Sequence, residues 1–275
     1  MTKHQFARGT LALAVAALVA SAAQAQGFVP EFQDGINFVG LAAGSAPDFW
    51  GSDNNTGGIA PYGRYLFSGQ RYVQLLGTEL TVNLVDNKSW RVGPVLRYRF
   101  GRNDDVDNKV VKQMRPIDDT LEAGVFVAYR IQLSANPLHQ LTFAADVLGD
   151  TGDTYNGANG SVRVNYFHPF NERLLGNIGF GVAWGSDNFT DTYFGVHGSD
   201  IALYPSLHGK PYTAQGGVNA VRVPFGLTTP LSKQWMLSAG GRYERLLGDA
   251  EDSPIVKQEG DANQWMFGVG AAYLF

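Results

Sequence analysis

The sequence predicts an all-β protein, and specifically a transmembrane antiparallel up-and-down β-barrel. Three observations support this fold class: segments of alternating side-chain polarity, connections that alternate between short and long, and an N-terminal export signal. The composition agrees, because 34 Gly, 12% aromatic residues and only 17% charged residues favour strands and turns over helices.

The clearest strand runs from Trp90 to Phe100 (WRVGPVLRYRF). Mostly apolar residues occupy one parity of this segment, and Arg91, Arg97 and Arg99 lie on the other. Successive strand side chains point to opposite faces, so one face would contact lipid while the arginines face a wet lumen. Several such segments reach the ~10 residues that a tilted membrane strand needs.

Other strands follow from the same period-2 pattern. Clear alternation recurs at 121–133, 174–185, 235–244 and 266–275, and weaker strands are predicted near 35–44, 58–67, 71–85, 139–149, 159–169 and 214–228. The strand number depends on residues 59–85. A turn at Gly77 gives a barrel of 12 strands, which we prefer, whereas one long bulged strand gives 10 as the alternative.

The connections between these strands alternate in length. Short turns are predicted at 67–70, 134–139, 170–173 and 229–232, and long polar stretches at 45–57, 102–117, 150–158, 187–212 and 247–262. This asymmetry predicts short periplasmic turns on one rim and longer outer loops on the other. A soluble sandwich, which would also accommodate alternating strands, has no reason to follow it strictly.

The first 25 residues have the layout of a secretory signal peptide. A basic start precedes an apolar run at 11–20, and Ala-Gln-Ala at 23–25 fits an A-x-A cleavage site. The apolar run is much shorter than the roughly 20 residues of a spanning helix. We therefore expect cleavage between Ala25 and Gln26, which leaves residues 26–275 as a single exported barrel domain.

Charged side chains on the inward parity form one set of candidate site residues. They are Arg97, Arg99, Glu122, Arg130, Arg163, Arg222, Arg242 and Glu244. On an inner wall, such charges tune the selectivity of a channel. Alternatively they pair across the interior and block it, which suits a narrow barrel, because open porins have about 16–18 strands.

The sequence does not predict an enzyme, a metal site or a cofactor. After signal cleavage the remaining histidines are His139, His168, His197 and His208. They occur without a G-x-S-x-G elbow or a paired His motif, so no catalytic residue is predicted. The acidic segments 104–107 and 249–252 do not match a Ca²⁺-binding loop, and the chain has no Cys. A net charge of −4 argues against nucleic acid as a partner.

The last segment, residues 264–275, alternates up to its final aromatic residue. With Tyr273 and Phe275 two positions apart, it resembles the C-terminal signal that the barrel assembly machinery reads in bacterial outer-membrane barrels. We expect this strand to close the barrel with its backbone paired on both sides, as lipid requires.

Several motifs, in the same order along the chain, resemble the MipA/OmpV family of outer-membrane proteins. They are PDFWGSDNN (47–55), GPVLRYRFGRNDDVD (93–107), RPIDDTLEAGVFV (115–127), TYFGV (192–196), GDAEDSPIV (248–256) and the final Tyr273-Leu274-Phe275. The resemblance covers nearly the whole chain after the signal peptide. Phe49-Trp50 departs from the family pattern, which more often has Tyr followed by an acidic or small residue.

Two of these motifs are expected to lock the outer loops together over the mouth of the barrel. Their members are Pro47, Asp48, Gly51, Ser52 and Asp53 in the first motif, and Gly248, Asp249, Ser253 and Pro254 in the second. We expect Asp48, Ser52 and Asp53 to hydrogen-bond backbone groups, as short polar side chains commonly do in loops.

The resemblance implies a place in the cell and a kind of partner. It implies the outer membrane of a Gram-negative bacterium, in contact with lipid and lipopolysaccharide. The family is named after a protein that binds a lytic transglycosylase and is thought to bring a murein hydrolase together with a murein synthase. A non-enzymatic scaffold for peptidoglycan turnover is therefore implied, with a partner surface near 136–139 and 171–173. A small-solute pore is the alternative.

Overall fold

Residues 36–275, the part of the chain that the computed structural model describes, form a closed barrel of 12 antiparallel strands. The strands are β1 (Phe38–Pro47), β2 (Asn55–Ser68), β3 (Arg71–Leu76), β4 (Glu79–Asn83), β5 (Trp90–Arg99), β6 (Thr120–Gln132), β7 (Gln140–Asp150), β8 (Ala158–Pro169), β9 (Leu175–Gly185), β10 (Gly217–Pro230), β11 (Trp235–Leu246) and β12 (Asn263–Leu274). The predicted cleavage site between Ala25 and Gln26 lies outside the described residues. Within them, no helix combines the length and apolarity needed to cross a membrane.

The prediction of 12 strands is confirmed, and Gly77 is the residue on which it depends. β3 ends at Leu76 and β4 begins at Glu79, so the two strands form a tight hairpin. Gly77 adopts a φ of 60°, in the left-handed region that glycine occupies without a steric cost. Its N–H donates to the Pro61 carbonyl at 2.9 Å, which ties the hairpin to β2.

The outward and inward faces follow the predicted parity. On β6, Leu121 and Val125 are 46% and 58% exposed, whereas Glu122 between them is fully buried. Apolar side chains exposed on the outer wall of a barrel are the ones that contact hydrocarbon. Aromatic pairs lie at both ends of this wall, with Trp90 and Tyr129 at the periplasmic end and Tyr243 and Trp265 at the outer end.

The last strand is paired on both sides, as predicted. Tyr273 pairs with Val39 of β1 and with Trp235 of β11, and the Phe275 N–H donates to the Asn37 carbonyl at 3.0 Å. Its recognition by the assembly machinery stays a prediction.

The three longest connections lie on the outer rim, but the predicted alternation in length is not strict. The periplasmic turns cover 69–70, 84–89, 133–139, 170–174 and 231–234, and the outer connections cover 48–54, 77–78, 100–119, 151–157, 186–216 and 247–262. The β3–β4 hairpin is a short connection on the outer rim, and the outer connections 48–54 and 151–157 are no longer than the periplasmic turn 133–139. The turn predicted at 229–232 lies two residues later, because Thr229 and Pro230 still pair with Leu237 and Met236.

The long outer loops contain helices, which the polar composition of these stretches did not predict. They are α1 (Asp187–Phe194), α2 (Gly248–Asp252) and α3 (Pro254–Glu259). Ser186 caps α1 by accepting the Phe189 N–H at 3.4 Å, and α3 begins with a proline, as helices often do.

Two apolar clusters hold these loops over the outer mouth; together we call the loops and their clusters the outer cap. The first contains Tyr155, Ala183, Phe189, Tyr193, Phe194, Ala214, Ala220, Leu246, Ala250, Val256 and Ala262. The second contains Phe49, Val106, Val111, Met114, Val196, Tyr204 and Ile255. The members come from five outer loops and the strand ends beside them, so the outer cap is a small hydrophobic core of its own.

A row of glycines crosses five neighbouring strands at one level of the wall. Gly58 pairs with Gly44, Gly44 with Gly268, Gly268 with Gly240, and Gly240 with Gly226. A Cβ atom added at Gly240 would lie 2.4 Å from the Phe225 carbonyl oxygen and 2.8 Å from the Gly226 Cα. Both neighbours are backbone atoms, so the strands themselves would have to shift.

We therefore expect Gly240→Ala to destabilise the folded barrel. The cost should be about 1–3 kcal/mol, as for other overpacked sites, and is measured as a lower urea midpoint of the barrel in detergent micelles. Gly57→Ala is the matched control, because its nearest neighbour would be the Gly44 carbonyl oxygen at 3.8 Å. Equal midpoints for the two variants would contradict the close-approach argument.

Candidate functional site

The inner wall of the described strands carries eight arginines. They are Arg64, Arg91, Arg97, Arg99, Arg130, Arg163, Arg222 and Arg242. Four carboxylates face them from the same wall: Glu79, Glu122, Asp146 and Glu244. Five of these arginines and the four carboxylates form three networks, the first two of which share Arg97.

The first network is centred on Glu122, which is fully buried. Its carboxylate accepts Arg99 Nε at 2.7 Å and Arg97 Nη1 at 3.4 Å. The Tyr155 hydroxyl and the Asn159 side-chain amide also donate to it, at 2.8 and 2.9 Å. Four donors therefore replace the water that this charge would have in solution.

The second network extends across the lumen from Arg97. Its Nη2 atom lies 2.7 Å from Glu79 Oε2 and 3.7 Å from Asp146 Oδ1. Asp146 in turn accepts Arg163 Nη1 at 2.5 Å and the Ser161 hydroxyl at 2.7 Å. Side chains from β4, β5, β7 and β8 are thus joined through a chain of charges.

The third network joins the wall to the outer cap. Glu244, which is fully buried, accepts Arg222 Nε at 2.7 Å and lies 3.2 Å from Arg242 Nη2. The indole N–H of Trp50, in the first outer loop, donates to Glu244 at 2.7 Å. One carboxylate therefore fixes two wall arginines and the loop that covers them.

We expect the loss of any one partner to destabilise these networks. Removing one member of a buried ion pair typically costs about 3–5 kcal/mol, because the remaining charge stays buried without compensation. The networks lie between two cavities, of about 140 Å³ towards the periplasm and about 100 Å³ under the outer cap, and Arg222 and Arg242 line both. The lumen is therefore divided by paired charges.

The alternation of residues in the sequence predicted some of the charged residues on the inner wall and missed others. The eight charged residues predicted from the sequence all lie on the inner wall, whereas Arg64, Arg91, Glu79 and Asp146 lie there without having been predicted. Arg91 shares the parity of Arg97 and could have been included on that signal. The other three lie in strands whose alternation is weak, so their orientation was not evident.

The first outer-cap motif makes two of the three expected backbone contacts. Asp48 accepts the Asp107 N–H at 2.7 Å, and Ser52 accepts the Asn54 N–H at 3.0 Å. Burial raises the pKa of the Asp48 carboxyl above its usual value, and the Asp107 N–H opposes that rise. The Asp53 carboxylate instead accepts the Asn54 side-chain amide at 3.1 Å, because it lies on the exposed side of the loop.

Pro47 and Gly51 of the same motif contribute through the backbone conformation of the loop. Pro47 is the last residue of β1, and Gly51 adopts a φ of 100°. The Gly51 N–H donates to Gln264 Oε1 at 3.2 Å, and Gln264 Nε2 donates back to the Ser52 carbonyl at 2.9 Å. The loop is therefore fastened to the start of β12.

The second outer-cap motif contacts the longest loop. Asp249 accepts the Gln215 N–H at 2.7 Å, and the buried Ser253 hydroxyl donates to the Phe194 carbonyl at 2.6 Å. Gly248 starts α2 with a φ of 57°, and Pro254 starts α3. The two motifs thus link four outer loops with each other and with the wall.

Trp50 lies at the centre of the outer cap. Its ring centroid is 5.7 Å from that of Phe189 and 5.2 Å from that of Phe194, both on α1. The Arg99 guanidinium lies 5.0 Å from the Phe189 ring, a cation–π distance. The departure Phe49-Trp50 from the family pattern therefore supplies the contact between the outer cap and the charged lumen.

The histidines are separated into two places. His139 and His168 both contact the Tyr166 hydroxyl, at 3.1 and 3.0 Å, at the periplasmic end of the wall. His197 contacts Asp191 at 2.9 Å in the longest outer loop. Within residues 36–275, no group of three or more His, Asp or Glu side chains is arranged to hold a metal ion.

Known barrels of the outer membrane resemble this fold at low identity. An outer membrane channel from Pseudomonas putida F1 is 9% identical over 90% of this chain and 98% of its own, with a TM-score of 0.44. A FadL homologue from Pseudomonas aeruginosa is 9% identical over 86% and 90%, with a TM-score of 0.37. The N-terminal barrel domain of Pseudomonas aeruginosa OprF is 11% identical over 87% and 98%, with a TM-score of 0.27. Likenesses this weak carry no argument about function.

Comparison with curated proteins gave no match. The family model described as "MltA-interacting protein MipA" matches residues 39–275, which is almost the whole described chain. That range covers all 12 strands except the first residue of β1, together with every loop of the outer cap. This outer-membrane β-barrel therefore belongs to the MipA family.

Proposed function

We propose that this protein is a non-enzymatic scaffold of the outer membrane that binds an enzyme of peptidoglycan turnover on its periplasmic side. The observation that carries the proposal is the family match, because the family description names an interaction with MltA. A lytic transglycosylase is accordingly the partner class we infer, and a murein synthase is the second component that such a scaffold would bring together.

The arrangement of the two rims supports a periplasmic partner surface. The outer rim is covered by the outer cap, whereas the periplasmic rim presents five short turns. Phe170 and Leu231 on those turns are 60% and 63% exposed. The charged side chains of Glu172 and Arg173 lie next to Phe170, and a mixed apolar and charged surface suits a reversible protein partner.

The predicted partner segments, 136–139 and 171–173, lie on neighbouring turns because β7 pairs with β8 and β8 with β9. Both turns are internally fixed. Asn136 accepts the Leu138 N–H at 3.0 Å, and Asn171 accepts the N–H groups of Arg173 and Leu174 at 2.8 and 2.9 Å.

Hydrogen bonds from the wall hold these turns in place. The Tyr166 hydroxyl lies between His139, next to the first turn, and His168, near the second. A surface that is rigid before binding loses little conformational entropy when a partner docks. The two turns therefore provide a preformed contact area.

A double variant of the second turn, Glu172→Ala with Arg173→Ala, should weaken binding of a purified lytic transglycosylase. We expect at least a ~5-fold loss of affinity in surface plasmon resonance with the barrel in nanodiscs, equivalent to about 1 kcal/mol. The matched control is Asp104→Ala with Asp105→Ala, which removes charge from an outer loop.

Heat-modifiable migration on gels would first establish that both variants are folded. An equal loss of affinity in the two variants, or none in either, would contradict a periplasmic contact surface at this turn.

A small-solute pore is the second candidate, and one observation favours it. The inner wall has eight arginines but only four carboxylates in its networks, so the lumen would attract small anions. The paired networks and the outer cap oppose it, because they divide and cover the lumen.

Planar-bilayer recordings distinguish the two functions. If the scaffold proposal holds, the wild-type barrel should give no discrete conductance steps. Trp50→Ala should give anion-preferring steps, because it releases the outer cap and also removes a donor from Glu244, which loosens the charge network that divides the lumen below. Trp184→Ala, which changes an exposed side chain of the outer wall, is the matched control and should stay silent. Steps from the wild-type barrel would instead establish the pore.

A further inference from the structure

Arg102 lies inside the outer cap and belongs to none of the three lumen networks. It follows β5, and its backbone forms a two-way bridge with Ile117, with N···O distances of 2.9 and 2.7 Å. This bridge extends the β5–β6 hairpin into the loop. The Arg102 side chain is thereby held in one place, and the residue is 8% exposed.

The Arg102 guanidinium has no carboxylate within ion-pair distance in the described part of the chain. Its single hydrogen bond is a long one, from Nη1 to the Tyr193 carbonyl at 3.5 Å, and its Nε donates to no protein atom. Asp200 is engaged elsewhere, because it accepts the backbone N–H and Nε of Arg115 at 3.0 and 3.1 Å. Burial lowers the pKa of Arg102.

Tyr193 on α1, whose backbone carbonyl accepts from Arg102, supplies a second buried donor. Its hydroxyl is buried and has no hydrogen-bond partner among residues 36–275. Burial raises the pKa of Tyr193, so the hydroxyl keeps its proton and is available to donate. Arg102 Nε and the Tyr193 hydroxyl are thus two buried donors, one cationic and one neutral, for which no described residue provides an acceptor.

Both side chains line the cavity of about 100 Å³ under the outer cap. Arg97 and Arg99 line its inner side, where their own carboxylate partners lie. Asp48 is the one carboxylate in the described lining, and it accepts the Asp107 N–H at 2.7 Å. The potential inside the cavity is therefore positive.

We propose that this cavity binds a small oxyanion of the phosphate or sulfate class, held between the Arg102 guanidinium and the Tyr193 hydroxyl. Guanidinium groups bind such anions through paired N–H donors in a fixed geometry. A water molecule would satisfy the hydroxyl but would not compensate the buried charge. The same chemistry has two sources at the outer face, namely free phosphate and the phosphate groups of lipopolysaccharide.

The test uses the full barrel, refolded in detergent without lipopolysaccharide. Its thermal unfolding midpoint is followed by heat-modifiable migration, in sodium phosphate and in sodium chloride of equal ionic strength. Phosphate should raise the wild-type midpoint saturably, by about 2–4 °C when the site is nearly full.

Arg102→Met is the decisive variant. It retains an apolar stem but removes the buried charge, so its midpoint in chloride should equal or exceed that of the wild type. Its response to phosphate should be lost. Tyr193→Phe should reduce the response while leaving the chloride midpoint unchanged. Lys112→Met, which removes an exposed charge from the same loop, is the control and should respond like the wild type.

A second arm replaces free phosphate with purified lipopolysaccharide. A midpoint rise only in this arm, lost in Arg102→Met, would support the proposal with lipid phosphate as the source. A rise that persists in Arg102→Met would overturn it, and so would the absence of a rise in both arms. Because the readout is stability, failure here is distinct from failure to bind a lytic transglycosylase.

Discussion

Complete pairing of backbone groups within the hydrocarbon layer is the constraint on which this structure depends. Each unpaired N–H or C=O group in lipid costs several kcal/mol, so a sheet that spans a membrane must have no free edge. The ladder between β1 and β12 meets this requirement by joining Phe38–Ser45 to Phe267–Leu274 in continuous register. Closure fixes which side chains face lipid and which face the lumen.

Charges on the inner wall follow from the same constraint. Polar residues cannot face lipid, so the alternation of each strand places arginines and carboxylates inside, where they must compensate one another. Glu122 and Glu244 are fully buried and each receives at least three donors. Trp50 is one of the donors to Glu244, so the same hydrogen bond holds the outer cap in place and helps to compensate a lumen charge. The periplasmic rim then remains uncovered, and this is where we propose that a protein partner binds.

The sequence predicted the features that depend on local alternation, and it missed those that depend on contacts between residues far apart in the chain. The two faces of β5, β6, β9, β11 and β12 follow from alternation, and the turn at Gly77 gave the strand number. The contact between Trp50 and Glu244 joins residues 194 positions apart, and no local pattern signals it. The loop helices were missed because their apolar residues are spread among polar ones and become a core only when several loops meet. Arg102 was missed because its burial also depends on loops that meet only in the folded barrel.

The closed register of β1 and β12 is the claim that can be tested most directly. The chain has no Cys, so an introduced pair reports without background. Ala43 and Val269 are direct partners on the lipid face. With Ala43→Cys and Val269→Cys, a short thiol cross-linker should join most folded barrels, whereas the pair Ala43→Cys and Ala271→Cys, two residues out of register, should react weakly. Equal cross-linking of both pairs, or none with the first, would contradict the closed barrel.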